Sequence, residues 1–121
     1  MTQYTVYHNP DCSKSRAAMD LLARHGIQPT VVEYLGAPPD ENQLTHLMNL
    51  LNCSLKELLR TKEPIYKELG LDQPKVSEET ILAAVLAHPI LLERPIIVSA
   101  NRAVIARPTE LLEEFIAAQG A

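Results

Sequence analysis

Aromatic side chains are scarce in this 121-residue chain, which has four Tyr, one Phe and no Trp. That shortage argues against the stacking platforms on which many single-strand nucleic-acid binders hold bases. Positive charge is also in deficit, with 11 Lys and Arg against 15 Asp and Glu. No broad basic surface is therefore expected for a phosphate backbone. An acidic chain can still hold a local anion site, so the balance constrains partners more than chemistry. Long apolar runs are missing too. The longest, such as Ile81–Ala87, are far too short to span a bilayer. The opening MTQYTVYHNP has no basic region followed by an apolar stretch, so no secretory signal is expected. Cysteine is limited to Cys12 and Cys53. With no export signal, a reducing cytoplasm is the expected compartment, where a disulfide between the two is disfavoured. His25, His46 and His88 lack metal-ligand spacing with each other or with the cysteines, so no metal is expected.

What is present is an ordinary globular composition, 46% hydrophobic and 21% charged. The length suits one domain over residues 1–121. Tyr4-Thr5-Val6-Tyr7 is rich in strand formers and stops at the turn-like His8-Asn9-Pro10-Asp11. A helix is predicted from Ser15, with Ala17, Ala18, Leu21 and Leu22 at helical spacing and Gly26 as its stop. Thr30–Tyr34 reads as a second strand, and Asp40 as the N-cap of a helix whose stripe is Leu44, Leu47, Met48 and Leu51. Short helical pieces follow over Leu55–Leu59 and Ile65–Leu69. Another helix starts near Ser77, with Ile81, Leu82, Val85 and Leu86 on its apolar face. Pro95–Ser99 is a third strand and Ala103–Ala106 a fourth. Pro108 then opens a last helix that buries Leu111, Leu112, Phe115 and Ile116. This order, an early β-α-β unit, a run of helices and a late β-β-α unit, defines the α/β class.

The most informative stretch is His8-Asn9-Pro10-Asp11-Cys12-Ser13-Lys14-Ser15-Arg16. It sets a cysteine between a strand end and a helix start. The unpaired N–H groups of a helix start point at such a sulfur, and the positive end of the dipole favours a thiolate. Lys14 and Arg16 add charge close by. A free thiol has a pKa of about 8.5, and lowering it by about two units requires roughly 2.7 kcal/mol of preference for the thiolate. A helix end supplies about 0.3–1 kcal/mol when exposed and about 2 when partly buried. Further cations must therefore converge on the loop. The same N–H groups bind oxyanions such as arsenate or phosphate, with Ser13 and Ser15 as additional hydroxyl donors. The alternative is a small buried filler, a common fate of cysteine. The His-Asn-Pro approach, the basic neighbours and the strand-to-helix position favour the nucleophile. His8 either lowers the thiol pKa or orients the loop. Cys53, between two helical segments, reads as inert packing.

The chain resembles the glutaredoxin-coupled arsenate reductase (ArsC) family. The resemblance is carried by His8-Asn9-Pro10-x-Cys12-x-x-Ser15-Arg16, Tyr34-Leu35, Pro38-Pro39 and Leu58-Leu59-Arg60. It continues through Tyr66–Leu71, His88–Leu91, Glu93-Arg94-Pro95-Ile96 and Arg107-Pro108. It implies a thioredoxin-like fold, a mixed four-stranded sheet with a helical insertion. It also implies that Cys12 attacks arsenate while Arg60, Arg94 and Arg107 cradle the oxyanion. Guanidinium forks suit that role through paired, charge-assisted hydrogen bonds. Ser15 joins them in binding substrate, with His8, Lys14, Arg16 and Pro95 in support. Pro95 matches the proline that opens the third strand of this fold with a cis peptide bond. Glutathione is the implied co-substrate and glutaredoxin the implied protein partner, with no bound cofactor, no nucleic acid and no membrane.

The chain departs from the best-known members in two ways. Ser13-Lys14 stands where they carry Gly-Thr, and this chain ends sooner after its last helix. Two rival readings follow. The Spx transcription regulators share the fold and bind RNA polymerase, but their redox sensors use Cys-x-x-Cys, and here the fourth position is Ser15. A general glutathione-dependent thiol oxidoreductase needs only the single active thiol.

Overall fold

The computed structural model describes residues 3–99, 101–107 and 109–118. Two compact units are present, Met1–Ala37 with Arg94–Ala121, and Pro38–Glu93. The first unit carries the strands β1 (Tyr4–His8), β2 (Thr30–Glu33), β3 (Ile96–Ser99) and β4 (Arg102–Ile105). They form one sheet in the order β2-β1-β3-β4. β1 runs parallel to β2, with His8 opposite Glu33. β3 is antiparallel to β1, setting Tyr7 opposite Ile96, and antiparallel to β4, setting Ile96 opposite Ile105. This register has one consequence for chemistry. The C-terminal ends of β1, β2 and β4 and the start of β3 all lie at the same end of the sheet.

Helix α1 (Ser13–Arg24) follows β1 and is built largely from strong helix formers. It buries Ser15, Ala18, Leu21 and Leu22. The predicted stop at Gly26 has a definite mechanism. With φ +71 at Gly26, its N–H donates to the Ala23 carbonyl at 3.0 Å and Ile27 N–H to that of Leu22 at 2.9 Å. This paired arrangement satisfies carbonyls that the helix end leaves open. Gly70, at φ +70, ends helix α3 (Pro64–Glu68) in the same way.

The core of the first unit packs Tyr4, Val6 and Ile97 of the sheet against Ala18 and Leu22 of α1. Leu112, Phe115 and Ile116 of helix α5 (Glu110–Ala118) complete it. The rings of Tyr4 and Phe115 meet edge to face, with centroids 6.4 Å apart. Leu111, expected in this core, is 38% exposed. It lies about 100° around the helix from Leu112, past the edge of the buried stripe. Pro108, expected to open the helix, lies outside the described residues.

In the second unit, helix α2 (Glu41–Leu51) begins as predicted at Asp40. Asp40 accepts from Gln43 N–H at 2.8 Å, and the Gln43 side chain accepts from Asp40 N–H at 2.9 Å, a reciprocal capping box. Helix α4 (Glu78–Ala87) is capped by Ser77. Its buried face is Ile81, Ala84 and Val85, whereas Leu86, expected there, is 38% exposed. Short 3₁₀ turns cover Lys56–Leu58 and Pro89–Leu91. No helix among the described residues is long and apolar enough to cross a membrane.

Candidate active site

Cys12 is the N-cap of α1, in extended backbone with φ −98 and ψ 122. The helix therefore starts two residues earlier than the apolar spacing predicts. Ser13, Lys14 and Ser15 occupy its first turn, where backbone N–H groups have no intrahelical partner. The approach to the helix is tied down by Asn9 and Ser15. Cys12 N–H donates to the Asn9 carbonyl at 3.0 Å, closing a turn with Pro10 at its second position. Asp11 N–H donates to Asn9 Oδ1 at 3.0 Å, an Asx turn inside the first. Asn9 N–H in turn donates to Ser15 Oγ at 3.0 Å, and His8 Nδ1 lies 2.8 Å from the same oxygen. Since Oγ already accepts from Asn9, its hydroxyl proton is available for His8 Nδ1. Arg16 Nη1 donates to the Pro10 carbonyl at 2.8 Å, a clasp across the loop.

Cys12 closes this loop at the helix start. Cys12 is 9% exposed and takes no part in the hydrophobic cluster of its unit. Burial pushes the thiol pKa up, but Ser15 N–H, the Arg94 side chain and Lys14 N–H push it down, and the net result lies below the ordinary value. The neutral thiol makes no conventional cap hydrogen bond. The two amides act on the ionised form, and they are the helix-start donors expected from sequence. Arg94 shows the reciprocal effect. Burial lowers its pKa, yet hydrogen bonds to Cys12 and Tyr34 and the charges of both hold it above the usual value. His8 is moved down by burial first, with Glu33 opposing and Arg16 reinforcing, a net shift that favours the neutral imidazole.

Several expectations take a more specific form. Ser15 is fully buried, and its hydroxyl serves Asn9 and His8. Its amide is what faces the sulfur. Lys14 likewise acts on Cys12 through its backbone N–H, while its side chain is exposed. The charge of Arg16 bears on His8. Arg94 precedes Pro95, and their peptide bond is cis. Arg107 follows β4 at the same end of the sheet and donates from Nη1 to the Arg94 carbonyl at 3.3 Å. Cys12, Arg94 and Arg107 are thus gathered within the first unit. Arg60 belongs to the second unit. Its guanidinium pairs with Glu63 through Nη1 and lies 3.7 Å from Glu93 Oε1 through Nε. Its backbone is fixed by Arg60 N–H donating to the Leu91 carbonyl at 2.7 Å. The sequence reading missed these acidic partners. The (i, i+3) spacing of Arg60 and Glu63 was the available signal. The sequence reading marked His8-Asn9-Pro10-Asp11 as a turn without showing that the Asn9 side chain and carbonyl close it.

Both cysteines are free. Cys53 is half-buried, and its thiol is pushed up by burial and then by Glu57. Among the described residues, no three His, Cys, Asp or Glu side chains gather as they would around a metal ion.

Residues 7–115 match the ArsC family, and the chain belongs to it. An arsenate reductase of Neisseria meningitidis serogroup A is 45% identical over 117 residues, covering 96% of this chain and 100% of the relative. An Escherichia coli arsenate reductase is 36% identical over 116 residues, covering 96% of this chain and 82% of its own length. The solved structure of an arsenate reductase from Vibrio cholerae superposes with a TM-score of 0.89 at 39% identity, covering 93% of this chain and 97% of that one. The mixed sheet with residues 38–93 between β2 and β3 is accordingly the thioredoxin-like fold with a helical insertion.

Proposed function

We propose that the chain is an arsenate reductase in which Cys12 is the nucleophile and glutathione and glutaredoxin supply the reducing equivalents. The observation that carries the reading is Cys12 at the start of α1, its thiol pKa held below the ordinary value by helix-start amides and by the Arg94 guanidinium. In the first step the sulfur bonds arsenic, and one arsenate oxygen leaves as water after protonation. Arsenic is still pentavalent at this point. A glutathione thiol then supplies the second sulfur. Reduction to arsenite is balanced by oxidation of two thiols to one disulfide, which glutaredoxin returns to thiols. Arg94 and Arg107 supply charge-assisted donors for the arsenate oxygens. Arg60 is assigned to the same task on the family resemblance, and an oxyanion there competes with Glu63 and Glu93.

The test is arsenate turnover by the purified chain with glutathione and glutaredoxin. Turnover should vanish in Cys12→Ser and persist in Cys53→Ser, because the Cys53 thiol is raised and that of Cys12 lowered. A wild type without turnover that captures RNA polymerase would overturn the proposal in favour of an Spx-like regulator.

A further inference from the structure

Tyr34 is the first residue after β2, and β2 is an edge strand with Val31 40% exposed. Most of this strand faces outwards, yet Tyr34 is only 1% exposed and its hydroxyl is buried. A phenol at that depth requires a polar partner. The sheet register supplies one. Because β1 and β2 are parallel and β3 is antiparallel to β1, the residue after β2 and the residues before β3 lie at the same end of the sheet as the Cys12 loop. Arg94 stands there, with Nε and Nη1 buried, and Tyr34 and Cys12 both lie close enough to act on its pKa.

We infer that Tyr34 is a positioning residue whose buried hydroxyl accepts from the Arg94 guanidinium and fixes the edge that the guanidinium turns towards Cys12. A guanidinium carries five N–H donors in one rigid plane on a flexible stem. One contact to sulfur leaves that plane free to rotate about its bonds. A second anchor on another strand end removes the freedom, and the Arg107 bond to the Arg94 carbonyl steadies the backbone from which it springs. Among the described residues, the charged and titratable groups at this end of the sheet include Cys12, Arg94, Arg107, the Tyr34 phenol, His8 with its neighbour Glu33, and Asp11, Lys14 and Arg16 of the Cys12 loop. Of these, Tyr34 offers an oxygen acceptor within reach of Arg94. The inference rests on Cys12 acting as a thiolate, as in the proposed function, and is independent of arsenate as substrate.

The experiment is the pH profile of Cys12 alkylation by iodoacetamide in a Cys53→Ser background. Four proteins are compared: the parent, Tyr34→Phe, Arg94→Ala and the double variant. Tyr34→Phe keeps the ring and should raise the midpoint by about 0.5 unit, a roughly threefold fall in thiolate fraction below it. In the Arg94→Ala background the same substitution should have no effect, because Tyr34 acts through the lost guanidinium. A hydroxyl that acts on Cys12 by a route other than Arg94 would give the same shift in both backgrounds and overturn the inference. An unchanged midpoint in Tyr34→Phe would do so too. Should Tyr34→Phe not fold, NMR of the Arg94 side chain in the parent protein decides. Separate Nη proton signals that persist after Cys12 is alkylated support the anchor, whereas rotationally averaged signals overturn it. Neither readout involves turnover, so a protein silent towards arsenate would still test it.

Discussion

Replacing Arg94 with alanine isolates the largest side-chain contribution to Cys12 ionisation. The wild-type balance has burial on one side and three groups on the other, namely Ser15 N–H, the Arg94 side chain and Lys14 N–H. The substitution leaves the two amides and removes the only full charge among the three. A hydrogen bond to a charged group contributes about 1.5–3 kcal/mol, which corresponds to about one to two pKa units. Cys12 is 9% exposed as a residue, so solvent screens little of this. The midpoint of Cys12 alkylation in Arg94→Ala should therefore rise by about one to two units, measured as iodoacetamide rate against pH with Cys53 replaced by serine. A rise below about 0.3 unit would refute the assignment of the charge to Arg94. The same change predicts a pH-dependent stability loss. A depressed thiol pKa stabilises the fold fully above the unfolded value of about 8.5, and the benefit is lost as pH falls through the lower folded value. In denaturant titrations, Arg94→Ala should lose more stability at pH 9 than at pH 5. Equal losses at both would mean that Arg94 contributes by packing alone.

Two further substitutions probe the frame that holds the sulfur. Ser15→Ala removes the acceptor of Asn9 N–H and the partner of His8, both in buried surroundings, and should cost about 1–3 kcal/mol by urea unfolding while slowing Cys12 alkylation at neutral pH. A loss below about 0.5 kcal/mol would show that the loop does not depend on that oxygen. Phe115→Ala opens a cavity beside Tyr4 and should cost about 3–5 kcal/mol in the same measurement, with the Cys12 midpoint unchanged if the protein is folded.

How much was legible in sequence depended on the range of the interaction. Asp40, Ser77, Gly26 and Gly70 punctuate their helices as read, because capping and left-handed backbone are local and residue-specific. The strand-loop-helix setting of Cys12 was legible for the same reason. The helix start was misplaced by two residues because Ser13 and Lys14 face solvent and leave no apolar signal. Leu86 and Leu111 were assigned to buried faces because periodicity marks a stripe without fixing its edges. What sequence did not show was which partner each charge takes. Arg94 with Tyr34, and Arg60 with Glu93, are separated along the chain by whole elements and meet only through strand register and a short bridge between Leu59 and Leu92.

Those partners give the arginines different chemical potential in the proposed reaction. In that reaction Arg94 faces Cys12 as a thiolate, a charge that the reaction itself consumes. When the sulfur bonds arsenic its negative charge is lost, and the Arg94 donors are freed for charge on the arsenic-bound oxygens at the same end of the sheet. Such an interaction strengthens as the reaction proceeds, which is the condition for lowering a barrier as opposed to merely tightening binding. Arg60 is paired with Glu63 and Glu93, groups that the proposed reaction does not consume. Charge compensation in the proposed step therefore falls first on Arg94, whose donors lie beside the sulfur that reacts.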